Sequence, residues 1–281
     1  MSCDPDMCHV APIIGYHRAP LSQKFGAPRQ PNLVALTSII EMLVPYDTPS
    51  AFVGLENFSH IWISWQFHHN FMNKSNSKND TARTDDKFRA QVRPPRLGGN
   101  QKIGVFASRS MYRPSGLGLS VVKLERIEVV EGRVLLLISG ADMIDGTPII
   151  DIKPYVAYSD ALASAESGFA PTAPAALTVT ITEAAQATFE HLIEAGQQEV
   201  GLHQHWANHK ANSATVIHSI QHQLFATDLA VITALIAQDP RPAYRREQLQ
   251  ESFVMRYKSV DVSFWLIEEG HLQITEVCSL P

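Results

Sequence analysis

The 281-residue sequence has only three cysteines, and it lacks any apolar run close to the ~20 residues that a membrane-spanning helix requires. Cys3, Cys8 and Cys278 are too few and too widely spaced for a disulfide framework or a four-cysteine zinc site. The first residues also lack the basic and apolar segments of a secretory leader. We therefore expect a soluble, cytoplasmic protein.

Signature motifs of the common nucleotide-dependent enzymes are missing as well. There is no Gly-x-Gly-x-x-Gly after a strand, no phosphate-binding Gly-x-x-x-x-Gly-Lys-[Ser/Thr], and no Gly-x-Ser-x-Gly nucleophile turn. These absences argue against a dinucleotide-dependent enzyme, a kinase and a serine hydrolase of the usual kinds.

Acidic residues are absent from one long stretch, although the chain as a whole is acidic, with a net charge of −5. Residues 87–124 contain no Asp or Glu but eight Lys and Arg. A basic segment in an acidic protein is typical of a surface that binds an anionic partner. The alternative is a solvated face balanced by acidic residues elsewhere in the fold.

Short β-type segments separated by Gly, Pro and Asn dominate the first half of the chain and predict a β-barrel. We expect Trp62 and Trp65 on opposite faces of one strand, and Gly132 in a hairpin turn. The predicted strands are 58–67, 119–129, 133–139 and 149–152. Residues 163–176, rich in Ala, Ser, Gly and Pro, are typical of a linker.

Beyond this linker the hydrophobic period becomes helical and then returns to strands. Thr182 is a candidate helix cap, and Asp239-Pro240 ends the helical stretch. Helices are predicted at 182–198 and 214–238, and strands at 253–257, 260–267 and 272–277. The sequence thus predicts a mainly β protein, with a catalytic and cofactor-binding barrel domain at 8–162 and a small α+β domain at 177–281.

Six of the 12 histidines lie close together in the second domain. They are His191, His203, His205, His209, His218 and His222. His218 and His222 share a helix face and could bind a metal together, but no Asp, Glu or Cys lies between His203 and His222 to complete a ligand set. We expect exposed histidines and no metal, with a metal-dependent enzyme built on this segment as the alternative.

Proline-flanked arginines and clustered carboxylates form another signal. Pro28-Arg29-Gln30-Pro31 and Arg93-Pro94-Pro95-Arg96 display donors on stiff loops. Asp142–Pro148 places two carboxylates around a turn, and Asp151–Tyr155 gathers an acid, an amine and a phenol within five residues. Such loops on a rigid scaffold are typical of a functional site. Turn formation alone explains the Asp and Gly residues, but not the repeated pairing of Arg with Pro.

These loops, in this order, resemble the TsaA-like β-barrel family. The match is carried by Lys24-Phe25 with Pro28–Pro31, Gly54–Glu56 with Phe58–Ile63, Val92–Asn100, Gly104–Ser110, Asp145–Pro148, Asp151–Tyr155 and Gln238–Arg245. Characterised members are S-adenosylmethionine-dependent methyltransferases that methylate N6 of threonylcarbamoyladenosine at position 37 of tRNA. The resemblance implies a β-barrel fold, a homodimer, S-adenosylmethionine as the cofactor and the tRNA anticodon loop as the partner.

The resemblance also implies the residues of the cofactor pocket. They are Pro28, Arg29, Gln30, His68, His69, Arg109, Leu119, Ser139, Gly140, Ala141 and Asp142. The family turn Arg-Pro-Asn-Pro-Ile-Gly reads Arg-Pro-Ser-Gly-Leu-Gly at 113–118, so that glycine replaces a proline. Segment 70–87 and the histidine-rich segment look like insertions relative to shorter members.

Methylation of a ureido-type nitrogen requires a group that takes the nitrogen's proton, because its lone pair is conjugated. The candidates for catalysis are Asp142, Asp151 and Tyr155, with Lys153 orienting the threonyl carboxylate or assisting Tyr155. Arg93, Arg96, Arg113, Arg241, Arg245 and Arg246 are the candidates for contacts with tRNA phosphates. A barrel that binds RNA without using a cofactor is the alternative.

Overall fold

The computed structural model describes residues 9–68, 88–199 and 212–280. Its first half forms a closed barrel of six antiparallel strands in the order β1-β2-β7-β6-β3-β8. The strands are β1 (Gly15–Arg18), β2 (Thr37–Met42), β3 (His60–Gln66), β6 (Leu117–Val130), β7 (Arg133–Ser139) and β8 (Pro148–Pro154), and β4 (Gln91–Val92) and β5 (Ile103–Gly104) form a separate ribbon. The predicted β-barrel is confirmed.

Strand β3 shows why this sequence forms a barrel. Ile61, Ile63 and Trp65 alternate with more polar neighbours and enter the barrel core, so Trp62 and Trp65 do lie on opposite faces. The β6–β7 hairpin turns at Glu131 and Gly132, whose φ angles of 52° and 80° suit the tight turn predicted there.

The second half is a small α+β domain, as predicted. Short helix α1 (Ala157–Asp160) follows the barrel, and residues 161–176 are almost all exposed. The remaining elements are β9 (Thr178–Ile181), α2 (Glu183–Glu199), α3 (Ser213–His222), α4 (Asp228–Ala237), β10 (Phe253–Tyr257), β11 (Val260–Glu268) and β12 (His271–Ser279). Their sheet has the order β10-β11-β12-β9, with β9 parallel to β12. No helix in the described ranges is long and apolar enough to cross a membrane.

The helices correct one prediction and confirm another. Thr182 caps α2, because its Oγ1 accepts the Ala185 N–H at 3.3 Å. The single helix predicted over 214–238 is wrong, since α3 ends at His222 and α4 begins at Asp228. The Asp228 carboxylate accepts the Phe225 N–H at 2.8 Å and so satisfies a backbone donor at this break.

Two segments cross the predicted boundary between the domains. The insert between β1 and β2, residues 19–36, contributes Leu21, Val34 and Leu36 to the core of the C-terminal sheet. Conversely, α3 packs against β2 and β7 of the barrel through Val216. The boundaries at 162 and 177 remain a prediction. Each domain contributes a segment that packs against the other.

Candidate functional site

Gln30 and Arg109 come together from loops that are 79 residues apart in the sequence. The Arg109 guanidinium donates to Gln30 Oε1 at 2.6 Å. Pro28 is buried beneath this loop, whereas Arg29 turns towards the C-terminal domain. The contact leaves a guanidinium and an amide side by side, a pair suited to bind a carboxylate or a polar ring edge.

The segment after β7 lies directly against the same loop. Gly140 accepts the Asn32 N–H at 2.8 Å and donates its own N–H to Leu36 at 3.2 Å. Gly140 has φ +83°, and a Cβ added there would lie 2.4 Å from Asn32 Oδ1. Only glycine permits this approach, which places predicted cofactor residues 139–142 beside 28–32.

Asp142 is half-buried at the end of a chain of hydrogen bonds that starts in the barrel core. Trp65 Nε1 donates to Ser120 Oγ at 3.0 Å, and Ser120 Oγ donates to Asp142 Oδ1 at 2.6 Å. Burial raises the pKa of the Asp142 carboxyl, while the Ser120 hydrogen bond and the charge of Arg109 oppose that rise. Asp142 therefore retains a proton more readily than an exposed aspartate does.

The remaining predicted cofactor residues have separate contacts or lie outside the described ranges. Ala141 is buried, and Ser139 donates to Glu125 at 2.7 Å. His68 Nε2 lies 3.9 Å from the position that a Cβ on Gly146 would occupy. The predicted cofactor residue His69 and segment 70–87 lie outside the described residues.

Leu119 instead lines a groove on the outside of the barrel. We call this the outer groove; its volume is about 390 Å³, and it is lined by Trp62, Ser64, Leu119, Asp151, Lys153, Pro154, Val156, Tyr158, Ser159 and Asp160. Strand register explains the grouping, because Ser64 pairs with Leu119 on one side and Asp151 on the other. The side chains of Leu119 and buried Ser120, being adjacent in β6, lie on opposite faces of that strand.

The structure thus divides the four predicted catalytic residues. Asp151 and Lys153 share the outer groove, where Lys153 Nζ lies 4.0 Å from Asp151 Oδ2. The Tyr155 ring lies nearby, 6.0 Å from the Trp62 ring. Asp142 lies with the cofactor residues instead, on the Ser120 side of β6.

Sequence reasoning missed part of the groove wall. Trp62 Nε1 donates to Asp160 Oδ2 at 2.8 Å, and the same carboxylate accepts the Val156 N–H at 2.9 Å. These hydrogen bonds lower the pKa of Asp160 and fix α1 over the groove. A four-residue helix has too little periodicity to be read from sequence.

The basic segment presents most of its cations to solvent. Arg93 and Arg96 are exposed, while Arg113 donates to the Ser108 carbonyl at 3.0 Å. The segment also carries exposed aromatic rings that sequence reasoning missed. Phe88 and Phe106 are 53% and 71% exposed, with ring centroids 6.2 Å apart.

The predicted RNA-binding arginines of the second domain have other partners. Arg241 is 1% exposed, and its Nε lies 2.8 Å from Asp239 Oδ1. This burial conflicts with the prediction that Arg241 contacts RNA. Arg245 pairs with Glu251, and Arg246 Nε lies 3.2 Å from Asp239 Oδ2, so both keep only part of their side chains exposed.

The departure from the family turn at 113–118 has a structural explanation. Gly116 has φ +61°, donates to the Arg113 carbonyl at 3.0 Å and accepts the Phe67 N–H at 3.0 Å. Proline cannot adopt this conformation, because its ring fixes φ near about −65°. The turn is therefore built around glycine here.

The histidine-rich segment is only partly within the described ranges, since His203, His205 and His209 lie outside them. The His218 and His222 rings are 4.9 Å apart, and burial lowers the pKa of His222. Among the described residues, no group of three or more His, Cys, Asp or Glu side chains is arranged to hold a metal.

The donor set around Gly140 fits S-adenosylmethionine. Arg109 and Gln30 suit an amino-acid carboxylate, and Asp142 suits a cationic group. A pocket of this kind needs no glycine-rich pyrophosphate loop, because this cofactor has no pyrophosphate.

Known proteins resemble the chain over nearly its full length. Residues 16–161 match the tRNA-methyltransferase O N-terminal domain, and residues 206–280 match the TrmO C-terminal domain. A Pseudomonas aeruginosa protein named putative S-adenosylmethionine-dependent methyltransferase RcsF is 37% identical over 272 residues, covering 96% of this chain and 98% of that protein. An Escherichia coli protein named tRNA (adenine(37)-N6)-methyltransferase is 34% identical over 260 residues, covering 92% and 93% of the two chains.

The crystal structure of TrmO from Pseudomonas aeruginosa has the same fold, with a TM-score of 0.67 and 29% identity over 97% of this chain and 99% of that one. Both halves and their order therefore match known family members. The chain belongs to the TrmO family, the TsaA-like β-barrel family that its motifs resemble.

Proposed function

We propose that this protein is an S-adenosylmethionine-dependent tRNA methyltransferase that methylates N6 of adenosine-37 when that base carries a threonylcarbamoyl group. One observation carries the proposal. Near the start of β6, the adjacent residues Leu119 and Ser120 face the outer groove and the Asp142 pocket respectively. A donor held in the pocket and a base held in the groove can meet at this rim of the barrel.

The pocket residues bind and orient the cofactor. When bound, S-adenosylmethionine supplies an electrophilic methyl group on a positively charged sulfur. Arg109, steadied by Gln30, holds the carboxylate of its amino-acid part, and Asp142 faces a cationic group. Because Asp142 is fixed by Ser120 and Trp65, its position is set before the cofactor arrives.

The groove residues act on the modified base. Lys153 Nζ binds the threonyl carboxylate, and Asp151 Oδ2, 4.0 Å away from it, accepts the proton that N6 must lose. Trp62 and Tyr158 offer aromatic surfaces of the kind on which an unstacked base packs. Asp142 is the competing proton acceptor, because burial raises the pKa of its carboxyl and so strengthens it as a base.

Binding of the anticodon loop is assigned to the basic segment. Exposed Arg93 and Arg96, with Arg113, contact phosphates, and Phe88 and Phe106 provide stacking surfaces beside them. The proposal retains half-buried Arg245 and Arg246 as outer contacts and drops Arg241, whose guanidinium is buried.

A homodimer and a cytoplasmic location belong to the same proposal. Sedimentation equilibrium at micromolar concentration tests the dimer, with twice the mass of the 31.1 kDa chain expected. A mass that stays at one chain would contradict it.

Transfer of a tritiated methyl group to tRNA tests the reaction. Purified tRNA with the threonylcarbamoyl group should accept label, whereas tRNA from a strain unable to add that group should not. Equal labelling of both would contradict the substrate assignment, and labelling of neither would contradict the activity.

Single-turnover rates then separate the candidate proton acceptors. We expect Asp151→Asn to slow transfer by about 100-fold with cofactor affinity unchanged, in line with the loss of a general base. Asp142→Asn should weaken cofactor affinity first. Wild-type rates for Asp142→Asn, Asp151→Asn and Tyr155→Phe alike would overturn the assignment to all three residues.

A further inference from the structure

Arg29 lies in the loop 24–31 that carries the proposed cofactor residues 28–30, which we call the cofactor loop, yet its guanidinium reaches the C-terminal domain. Its Nη2 donates to the carbonyl of Asp239 at 3.2 Å and to the carbonyl of Arg241 at 3.4 Å. The next residue, Gln30, is the one that meets Arg109. Two neighbouring residues of one loop therefore connect the C-terminal domain to the cofactor pocket.

The two acceptor carbonyls are held by a compact set of ion pairs, which we call the Asp239 frame. Asp239 has φ +49°, and its carboxylate accepts a hydrogen bond from Arg241 Nε at 2.8 Å. Its Oδ2 lies 3.2 Å from Arg246 Nε, an ion-pair contact. Arg241 is fully buried, with its guanidinium carbon 6.0 Å from the Phe253 ring centre. Charged groups fixed in this way hold the backbone between them in one conformation.

Apolar packing also holds the cofactor loop against the C-terminal domain. Phe25 stacks against Phe253 and Phe264 with centroid distances of 6.3 and 6.2 Å. At Gly26, which has φ +93°, a Cβ would lie 2.5 Å from Met255, so the backbone approaches the sheet as closely as glycine allows. The loop is thus fixed just before Pro28 and again at Arg29.

We propose that Asp239 and Arg241 are positioning residues for the cofactor, acting through Arg29 on the Gln30–Arg109 contact. This inference rests on the proposed cofactor site at 28–30 and 109. Arg241 is thereby assigned to positioning the cofactor rather than to contact with RNA. The C-terminal domain then contributes to cofactor affinity.

The decisive variant is Asp239→Asn, because asparagine tolerates a positive φ as aspartate does while losing the charge that binds both arginines. We expect the Kd for S-adenosylmethionine, measured by calorimetry, to rise about five- to tenfold, the range of a modest coupling between sites. The kcat at saturating cofactor and the KM for tRNA should stay near wild type.

The matched control is Asp261→Asn. Asp261 binds Arg256 through two hydrogen bonds of 2.9 and 3.0 Å in the same domain, on the β10–β11 pair, and has no hydrogen bond to the cofactor loop among the described contacts. Its loss should leave cofactor affinity unchanged. A similar rise in Kd for both variants would overturn the inference, because the effect would then reflect general loosening of the domain.

A double-mutant cycle supplies the second readout. If Asp239 acts through Arg29, the variants Arg29→Gln and Asp239→Asn should not add in their effects on cofactor Kd. Additive effects would contradict the inference. Should Asp239→Asn fail to fold, Arg246→Gln removes one partner of the frame from a position that is 33% exposed. Only its cofactor Kd is then read, because the proposed function also places Arg246 among the tRNA contacts.

The outcomes also separate this inference from the proposed function. A raised tRNA KM with an unchanged cofactor Kd would overturn the inference and favour RNA contact by this segment. Absence of methyl transfer in the wild-type protein would contradict the proposed function, while calorimetry with S-adenosylmethionine would still test the frame.

Discussion

The barrel and the C-terminal domain differ in where their charged side chains lie. The barrel carries a cationic segment on its surface, and within its core the buried His17 binds neutral partners, Ser38 and the Ile144 carbonyl. The C-terminal domain instead buries two ion pairs, Arg241 with Asp239 and Lys258 with Asp228.

This contrast separates cations that can bind a ligand from cations that stabilise the fold. An exposed cation that has no carboxylate partner breaks no ion pair when a phosphate arrives, so it can contribute to affinity. A cation that is buried with a carboxylate is committed to that partner, and removing either one leaves an uncompensated charge in the interior. Arginines that look alike in sequence therefore have different uses in the two domains.

The largest expected effect comes from breaking a buried pair. Lys258 Nζ lies 2.7 Å from Asp228 Oδ2, and the Tyr257 hydroxyl donates to Asp228 Oδ1 at 2.6 Å. Lys258→Met should lower the free energy of unfolding by about 3–5 kcal/mol, because the carboxylate loses its counter-ion while buried. Urea unfolding measures the change.

Its control is the double variant Asp228→Asn with Lys258→Met, which removes both charges and should recover at least part of the loss. A loss below about 1 kcal/mol for Lys258→Met, the size seen for exposed pairs, would show that the C-terminal domain does not depend on its buried charges.

A smaller effect is expected from acid in the barrel core. Burial lowers the pKa of His17 from 6.5 to about 4, against opposing contributions from the Ile144 carbonyl and Asp145. The unfolded chain binds a proton at its ordinary pKa, so stability is complete above that value and is lost as the pH falls towards 4. The full loss is about 3 kcal/mol.

Unfolding in urea between pH 7 and pH 4 tests this, with His17→Gln as the comparison. The variant should be less stable at neutral pH, but its stability should fall less steeply with acid. Parallel curves for the two proteins would show that His17 is not the acid-sensitive group of the barrel.

The surface arginines are expected to have the smallest effect on stability. Their substitution should instead change tRNA binding. Arg93→Gln and Arg96→Gln should each reduce the slope of log affinity for tRNA against log salt by about 1. Their free energies of unfolding should stay within about 0.5 kcal/mol of wild type. Filter binding at several salt concentrations gives the slope.

Arg126→Gln is the matched control, since Arg126 is also an exposed barrel arginine but pairs with Glu128. It should leave the slope unchanged. Arg96 also donates to the Thr172 carbonyl, but neither Arg93 nor Arg96 has a carboxylate partner among the described contacts. An equal decrease for all three variants would remove the distinction between cations with and without a carboxylate partner.

The sequence predicted those parts of the fold that depend on local pattern. Alternation in β3 and the glycine of the β6–β7 turn identify strands, because each residue's face is set by its position. The break between α3 and α4 could not be read in this way, since Asp228 satisfies Phe225 and Lys258 through contacts that are made only in the folded chain.

The site was predictable only in part for a related reason. The family resemblance identified the loops that carry the candidate residues. The contacts of Gln30 with Arg109 and of Asp142 with Ser120 are seen only in the structure. The outer groove depends on the register of β3, β6 and β8, which no single segment encodes. Burial of Arg241 likewise depends on Phe253 and Asp239, so an Arg-Pro motif could not show whether its arginine would be exposed.

The insert between β1 and β2 also constrains the order in which the protein can mature on the ribosome. Its Arg29 leaves the exit tunnel early, but the carbonyl that it binds at Arg241 is synthesised 212 residues later. Strand partners for Phe25 are made later still. Barrel pairing can begin during translation, whereas loop 24–31 can make these contacts only after the C-terminal strands have been synthesised.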